Sequence, residues 1–433
     1  MQIGQLIYKK IQELKAKAAL MDGMILLFTV LLIVISLVMV YSSTMYLTEG
    51  GASYPTPFAY VTRQAGAVVL GCGLALIAFL LPTKWFNDER FIFGINAAVI
   101  VLLLAVKLFG YEGGGAKSWL RVGPLSLQPG EFAKLSLLFL MAYVIRRSER
   151  EYLMTQEPQG WWLKLFSRYG WVIMMIGVIL TFILNQPDFG MFMILVTTCA
   201  AVLILNIADK KWYMRAAGLI GGLYVILQVG ARVLSQWLVS RSNYQLQRIG
   251  SFPNPFRYAE GAGYQLVHAY LAMSRGGLFG LGIGRSLAKQ NALPAGHTDY
   301  ILAIIGEELG LAGIVAILFL LTGIVVLTLR WASQSTDSFR KAMFTGIAVL
   351  LLIQTTVNVG GITGLLPLTG VTLPFVSYGG TSMMVNVCAI GILQVFIIME
   401  KQAQQQAHQA KQSVIDQAWG NGLKEEEDGI YRR

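Results

Sequence analysis

Apolar runs long enough to cross a bilayer recur from Met24 to Met399, and this recurrence constrains the fold more than any other feature. A hydrocarbon core takes roughly 20 helical residues to span. Only 13% of residues are charged and 55% are apolar, against about 25% charged in an ordinary soluble domain, so water is not the main solvent of this chain. Ten spans fit the pattern, at about 24–43, 65–82, 92–110, 129–146, 170–185, 190–207, 216–236, 300–329, 342–365 and 378–399. The expectation is an all-α polytopic membrane protein with a single membrane domain over residues 22–400.

The net charge of +11 suggests nucleic acid at first sight, but the placement of the cations argues for a membrane topology instead. An even number of spans puts both termini on one side. With that side cytoplasmic, the inner segments hold most of the 34 lysines and arginines, among them Arg146-Arg147-Ser148-Glu149-Arg150, Lys210-Lys211 and Arg340-Lys341, as the positive-inside rule requires. No nucleic-acid partner is expected. Residues 1–21 carry Lys9, Lys10, Lys15 and Lys17 and form an amphipathic segment suited to lie on the inner surface against anionic lipid. The run after it is too long for a signal-peptide core and has no small-residue cleavage site, so it is the first retained span. Residues 401–433, rich in Gln, Ala and charge, cannot bury a core and read as an unstructured cytoplasmic tail. Cys72, Cys199 and Cys388 all fall in apolar runs and offer no disulfide framework or metal spacing.

The connection from about 237 to 299, between spans 7 and 8, is long, Gly-rich and extracellular in this topology, and long loops of this kind carry function. Gln265–Ser274 looks helical, and Leu278–Ile283 is apolar enough to dip into the interface. The loop holds Arg241, Arg248, Arg257, Arg275, Arg285 and Lys289 against only Glu260 and Asp299. That imbalance suits an anionic ligand, with phosphate or diphosphate first because arginine forks grip phosphate oxygens in pairs. Lipid headgroups at the surface are the plainer explanation.

Ionisable groups inside spans are costly and need a reason. Glu131 and Lys134 stand three apart in the fourth span, within reach of each other on a helix, either as an internal ion pair or as the wall of a substrate cavity. Asp299, in His297-Thr298-Asp299-Tyr300, precedes an apolar helix; it is either a helix cap or a general base at the membrane edge. Glu307 follows on the same helical face as Asp299 and Glu308 on the opposite one, making Glu307 the supporting carboxylate. Asp188, in Gln186-Pro187-Asp188-Phe189-Gly190, reads as a turn residue capping the next span and is a secondary candidate for chemistry. His268, His297 and His408 have no zinc-site spacing.

Taken together, several segments resemble one family. They are Val38-Met39-Val40-Tyr41-Ser42-Ser43, Gly115-Ala116-Lys117-Ser118-Trp119, Gln128-Pro129-Gly130-Glu131-Phe132-Ala133-Lys134-Leu135 and Gln186-Pro187-Asp188-Phe189-Gly190. Gly261-Ala262-Gly263-Tyr264-Gln265, Leu293-Pro294-Ala295-Gly296-His297-Thr298-Asp299-Tyr300, Gly306-Glu307-Glu308-Leu309-Gly310 and Leu373-Pro374-Phe375-Val376-Ser377-Tyr378-Gly379-Gly380 complete the series. In this order, on a ten-span profile, they resemble the SEDS family (shape, elongation, division and sporulation), and its division branch more than its elongation branch. The resemblance covers roughly residues 22–400.

The resemblance implies a peptidoglycan glycosyltransferase of the bacterial cytoplasmic membrane. Such an enzyme polymerises lipid II into glycan strands on the outer face, at the division septum, beside a class B penicillin-binding transpeptidase and other divisome membrane proteins. Asp299 is implied as the base on the acceptor hydroxyl, with undecaprenyl diphosphate leaving and the anomeric centre inverted. Lys117, Trp119, Arg121, Glu131, Lys134, Arg248, Arg257, Arg275, Lys289, His297, Glu307 and Ser377 are the implied substrate contacts. No tightly bound cofactor is expected; Lys134 or a divalent cation such as Mg²⁺ would counter the diphosphate. Ser118 stands where relatives often carry Arg, Gly130 where they carry Ser and Ala295 where Glu is common; with Ser118, either Lys117 or Arg121 takes over any phosphate contact of that Arg or the contact is dispensable. A lipid II flippase, a non-catalytic scaffold for the transpeptidase and an elongation role remain alternatives.

Overall fold

The structure is a computed structural model of the 433-residue chain. It describes all residues except 1, 47–54, 114–115, 124, 156–169, 187, 208–209, 242, 291–292, 294 and 431–433. Gly115, Pro187 and Pro294 of the motifs therefore lie outside the described residues.

All ten expected spans are helices: α2 (Gly23–Thr44), α3 (Pro57–Leu80), α4 (Glu89–Phe109), α5 (Pro129–Thr155), α6 (Gly170–Leu184), α7 (Phe189–Ile207), α8 (Lys210–Val233), α12 (Ile301–Gln334), α13 (Ser338–Ile362) and α14 (Gly380–Ile430). Eight are both long and apolar enough to cross a membrane. The remaining two are α6, which is apolar but shorter, and α5, whose first turn carries the charged Glu131. The protein is a multi-pass membrane protein. Outside these spans lie α1 (Gln2–Ala19) and, in the long loop, α9 (Ser235–Val239), α10 (Tyr244–Ser251) and α11 (Tyr264–Gly276). Several helix starts are fixed by side-chain caps that satisfy free backbone N–H groups. Asp88 accepts from Arg90 N at 2.9 Å, Asp337 from Arg340 N at 3.0 Å and Asn243 from Gln245 N at 2.9 Å.

The chain divides into two compact units, residues 1–22 with 393–433, and residues 23–392. In the first, Gln394 Oε1 accepts from Asp22 N at 2.8 Å while its Nε2 donates to Asp22 O at 3.2 Å. Lys401 Nζ reaches Met21 O at 3.4 Å. Where the sequence suggests an unstructured tail, α14 continues to Ile430; Ala, Gln, Lys and Glu dominate that stretch and are strong helix formers.

The second unit is a helix bundle whose outward faces are apolar, with Val69, Phe109, Met214 and Val233 each more than two thirds exposed. That is the surface lipid covers. The sequence reading missed a small antiparallel sheet between α4 and α5: β1 (Tyr111–Gly113), β2 (Ala116–Val122) and β3 (Leu125–Leu127), in the order β1-β2-β3. Trp119 pairs with Tyr111 and Arg121 with Ser126. The strands are too short to leave a clear two-residue alternation in the sequence.

The long loop is welded into α12. Gly310 (φ 69°, ψ −168°) interrupts that helix, which diverts Leu311 N and Ala312 N to Gly277 O (2.9 Å) and Leu278 O (3.0 Å). In return, Leu281 N and Gly282 N donate to the carbonyls of Glu307 and Glu308, each at 2.9 Å. The apolar 278–283 stretch is thus laid into a helix break, and these four backbone bonds replace helical ones lost there. Gly280, at φ +77°, has no room for a Cβ against the Glu308 carbonyl.

Candidate active site

Asp299 sits one residue before the N-cap of α12. The capping alternative fails, because the N-cap is Tyr300 and no side chain caps this helix. The carboxylate is half-buried and free of that duty. Its surroundings come mainly from the loop between α13 and α14, where four consecutive residues each touch a different part of the site. Leu368 O accepts from Arg248 Nη1 at 3.3 Å. Thr369 O lies against Gly190, where a Cβ would stand 2.8 Å away. Gly370, at φ +79°, faces the carboxylate: a Cβ there would stand 3.6 Å from Asp299 Oδ2. Val371 O accepts from Asn358 Nδ2 at 2.8 Å, and the same amide donates to Asp299 O at 3.1 Å.

The rest of this loop is held from below. Ser377 Oγ donates to Thr298 O at 2.7 Å and accepts from Leu373 N at 2.9 Å, and Tyr378 N donates to His297 O at 2.9 Å. Gln64 of α3, fully buried, donates to Ser377 O (3.0 Å) and to Ser36 Oγ of α2 (3.2 Å), which itself donates to Val376 O at 2.9 Å. Phe375 adopts φ +60° within this grip, a conformation that costs a non-glycine residue about 1–3 kcal/mol and persists only where its surroundings enforce it.

Asp188 caps α7, accepting from Met191 N at 3.0 Å through Oδ1, as its turn motif suggests, while Oδ2 accepts from Gln128 Nε2 at 2.7 Å. Gln128 directly precedes α5, and its backbone N donates to Thr381 Oγ1 at 3.1 Å. Glu131 and Lys134 are buried and paired at 2.7 Å, as the ion-pair reading has it, and their charges act on Asp188.

The electrostatics tie these groups together. Burial pushes the Asp299 carboxyl above the ordinary carboxylate range; Arg248 and the Thr298 hydroxyl pull it down, and Asp188 pushes it up. Burial likewise raises Asp188, opposed by Met191 N. His297, packed edge-on against Tyr60 with ring centroids 5.3 Å apart, is pushed down to about 4 by burial and is therefore neutral near pH 7. Thr369 Oγ1, Asn358 Oδ1 and Gln186 Nε2 are buried with no hydrogen-bond partner among the described residues.

Of the residues singled out in the sequence, the structure groups Asp299, Arg248, His297 and Ser377, with Asp188, Glu131 and Lys134 linked through Gln128 and their charges. Others have different company. Glu307 is bound by Arg275 Nε (2.7 Å), the Ser286 hydroxyl and Ala288 N (3.1 Å), so its partners are in the long loop rather than at Asp299. Glu308 takes Lys289 Nζ and the Ser42 hydroxyl, each at 2.7 Å. Arg275, exposed, is therefore paired at the surface, and Lys289 is neutralised inside the protein. Lys117, Trp119 and Arg121 share strand β2, with Gly113 packed against the Trp119 indole and Arg121 5.3 Å from the Tyr111 ring centroid. Arg257 lines a cleft with Arg232. Asn358 and Gln64 escaped the sequence reading, which searched spans for charges; buried amides inside apolar helices are the signal that finds them. Gln128 was read only as part of a motif.

The family model described as "Cell cycle protein" (FTSW_RODA_SPOVE) matches residues 22–402. The chain is 34% identical over 374 residues to the probable peptidoglycan glycosyltransferase FtsW of Bacillus subtilis (strain 168), covering 86% of this chain and 89% of that one. It is also 34% identical over 376 residues to the protein of the same name from Coxiella burnetii, covering 86% and 95%. Among solved structures, one from work on structural coordination of polymerization and crosslinking by a peptidoglycan synthase complex superposes with a TM-score of 0.64 at 22% identity, over 88% of this chain and 99% of that chain. The Rod shape determining protein RodA of Thermus thermophilus superposes with a TM-score of 0.59 at 22% identity, over 88% and 97%. These two likenesses concern the fold.

Proposed function

The chain belongs to the FtsW, RodA and SpoVE family of cell cycle proteins, and from that footing we propose that it is a peptidoglycan glycosyltransferase that polymerises lipid II on the outer face of the cytoplasmic membrane, with Asp299 as general base. The naming of its FtsW relatives supports the glycosyltransferase reading and the division role at the septum. The observation that carries the role of Asp299 is its setting. The carboxylate does not cap its helix, stands against Gly370 and is biased upward by burial, toward the range in which a base works best near neutral pH.

In this reading the Asp299 carboxylate takes the proton from the 4-hydroxyl of one lipid-linked sugar as that oxygen bonds to the anomeric carbon of the second. The bond from that carbon to the diphosphate breaks, and undecaprenyl diphosphate leaves with the electron pair. Arg248, anchored to Leu368 O, is the cation nearest in influence to Asp299 and stabilises the developing negative charge. Neutral His297, half-buried beside Asp299 in sequence, offers a hydrogen bond to a sugar hydroxyl. Among the described residues no three His, Cys, Asp or Glu side chains gather to hold a metal. A divalent cation such as Mg²⁺ would enter this scheme with the diphosphate it neutralises, and no step depends on it. A class B penicillin-binding transpeptidase is the proposed partner, which would cross-link the strands as they form.

The test is lipid II polymerisation by the purified protein with its transpeptidase, comparing wild type with Asp299→Asn at matched folding and complex yield. Loss of about 10²–10⁴-fold in rate is expected, the usual worth of a general base. Equal product from both would remove Asp299 from the chemistry. Product from neither, with lipid II crossing the bilayer in a scrambling assay, would favour a transporter.

A further inference from the structure

A second cationic cleft lies on the long loop, lined by Arg232, Ser235, Gly250, Pro253, Asn254, Arg257 and Tyr258. It forms where the last turn of α8 meets α9, α10 and the short 3-10 turn Pro255–Tyr258. The packing is close: Gly250 leaves no room for a Cβ beside Leu238 (2.7 Å) and Ser235 O (3.0 Å), and Tyr258 OH donates to Ser235 Oγ at 3.3 Å. Arg248 and Gly250 are two residues apart on α10 and so point to different sides of it; Arg248 reaches Leu368 O and acts on Asp299, whereas Gly250 lines this cleft. Arg232 and Arg257 are exposed, neither is paired with a carboxylate among the described residues, and no acidic residue lines the cleft.

Two observations say what chemistry it meets. First, α8 is the least enclosed of the apolar spans, with 6% of its apolar window buried, and Leu219, Leu223, Ile226 and Val233 are 57–75% exposed. Its flank is a bare hydrocarbon-facing surface that ends at the cleft. Second, Trp237, with Arg241 4.2 Å from its ring centroid, and Phe256 are exposed beside the cleft. Aromatic and basic side chains of this kind settle at the headgroup level of a membrane. With the basic ends of the spans inside, that level is the outer one.

We propose that this cleft binds the phosphate or diphosphate headgroup of an outer-leaflet lipid, with Arg232 and Arg257 gripping the phosphate and the lipid chain lying along the exposed face of α8. Phosphate oxygens match the arginine forks, and the neighbouring apolar face distinguishes a lipid from a free anion. The site is separate from the chemistry assigned to Asp299 and stands whether or not that assignment holds.

The protein in phosphatidylcholine nanodiscs, titrated with phosphatidylglycerol or undecaprenyl diphosphate and read by native mass spectrometry, tests this directly. Retention of either phosphate lipid over phosphatidylcholine is expected, weakened roughly 10- to 30-fold in the Arg232→Gln/Arg257→Gln variant, about fivefold per basic residue at a headgroup surface. If phosphatidylglycerol is displaced by undecaprenyl diphosphate at equal concentration, the occupant is the diphosphate lipid; if not, it is an ordinary anionic phospholipid. Equal retention of all three lipids, or the same preference in the double variant with an unchanged melting temperature, would overturn the proposal. Inorganic phosphate serves as the soluble arm: displacement of lipid by millimolar phosphate would show a free-anion site and overturn the lipid assignment.

Discussion

The side-chain amide of Asn358 donates to the backbone carbonyl of Asp299 at 3.1 Å. Through its second proton it also holds Val371 O at 2.8 Å, so one buried amide of α13 sets the spacing between the candidate base and the loop that faces it. Asn358→Leu should strand both carbonyls and cost about 1–3 kcal/mol of stability, read as a fall in melting temperature. The polymerisation rate should fall further than the stability loss explains, because the carboxylate loses its register. Asn358→Asp, which keeps the shape but not the donors, should fail as well. Wild-type turnover in a destabilised Asn358→Leu protein would show that this amide serves packing alone.

The proton balance of Asp299 makes a second prediction. A base must be ionised, and burial raises this carboxyl, so kcat/KM should decline as pH falls at a point above the ordinary aspartate value of about 3.9. Arg248 pulls the carboxyl down; Arg248→Gln should therefore move that acid limb upward, and Arg248→Lys should move it less. Stability has the opposite sense. A carboxyl whose pKa is raised on folding favours the folded state while protonated, and that contribution is lost as pH rises through the folded pKa. Asp299→Asn, a mimic of the protonated form, should thus melt above wild type at pH 8, with the gap closing toward about pH 4. An acid limb that ignores both Arg248 variants would refute the coupling.

Lys289 and Glu308 meet at 2.7 Å with both side chains fully buried, beside the α12 break. Removing one partner leaves a stranded charge, at a cost of about 3–5 kcal/mol, whereas replacing both with apolar groups is often neutral or better. Lys289→Met and Glu308→Leu should each collapse the yield of folded protein, and the double variant should recover most of it. Recovery would establish that Lys289 serves the fold and leaves diphosphate to other cations. A double variant as damaged as the singles would point to a further role for one of them.

The ten spans were legible because bilayer thickness is written into run length, and each expected span carries a helix. Residues whose job depends on distant backbone were harder to read. Nothing near Asn358 or Gln64 in sequence announces that they hold Asp299 O or Ser377 O, since those partners arrive from other helices. The comparison of Glu307 with Glu308 shows a different limit. Helical phase correctly put them on different faces, but the partner of each was chosen by the loop laid into the Gly310 break, bringing Arg275 to one and Lys289 to the other. Asp299 was read either as a cap or as a base, and only the geometry of Tyr300 removed the cap.

Gly370 offers the sharpest test of how closely the α13–α14 loop governs the carboxylate. Its φ of +79° is strained for any side chain, and a methyl group there would stand 3.6 Å from Asp299 Oδ2. Gly370→Ala should lose about 1–2 kcal/mol to backbone strain and should also cover the carboxylate with hydrocarbon, disfavouring its charged form. Gly284, at φ +84° with its nearest neighbour 4.0 Å away, carries similar strain without a carboxylate beside it. Gly284→Ala should match Gly370→Ala in melting temperature, yet only Gly370→Ala should lose polymerisation and shift the acid limb upward. If the two variants lose activity in proportion to stability alone, the loop supports the fold without tuning Asp299.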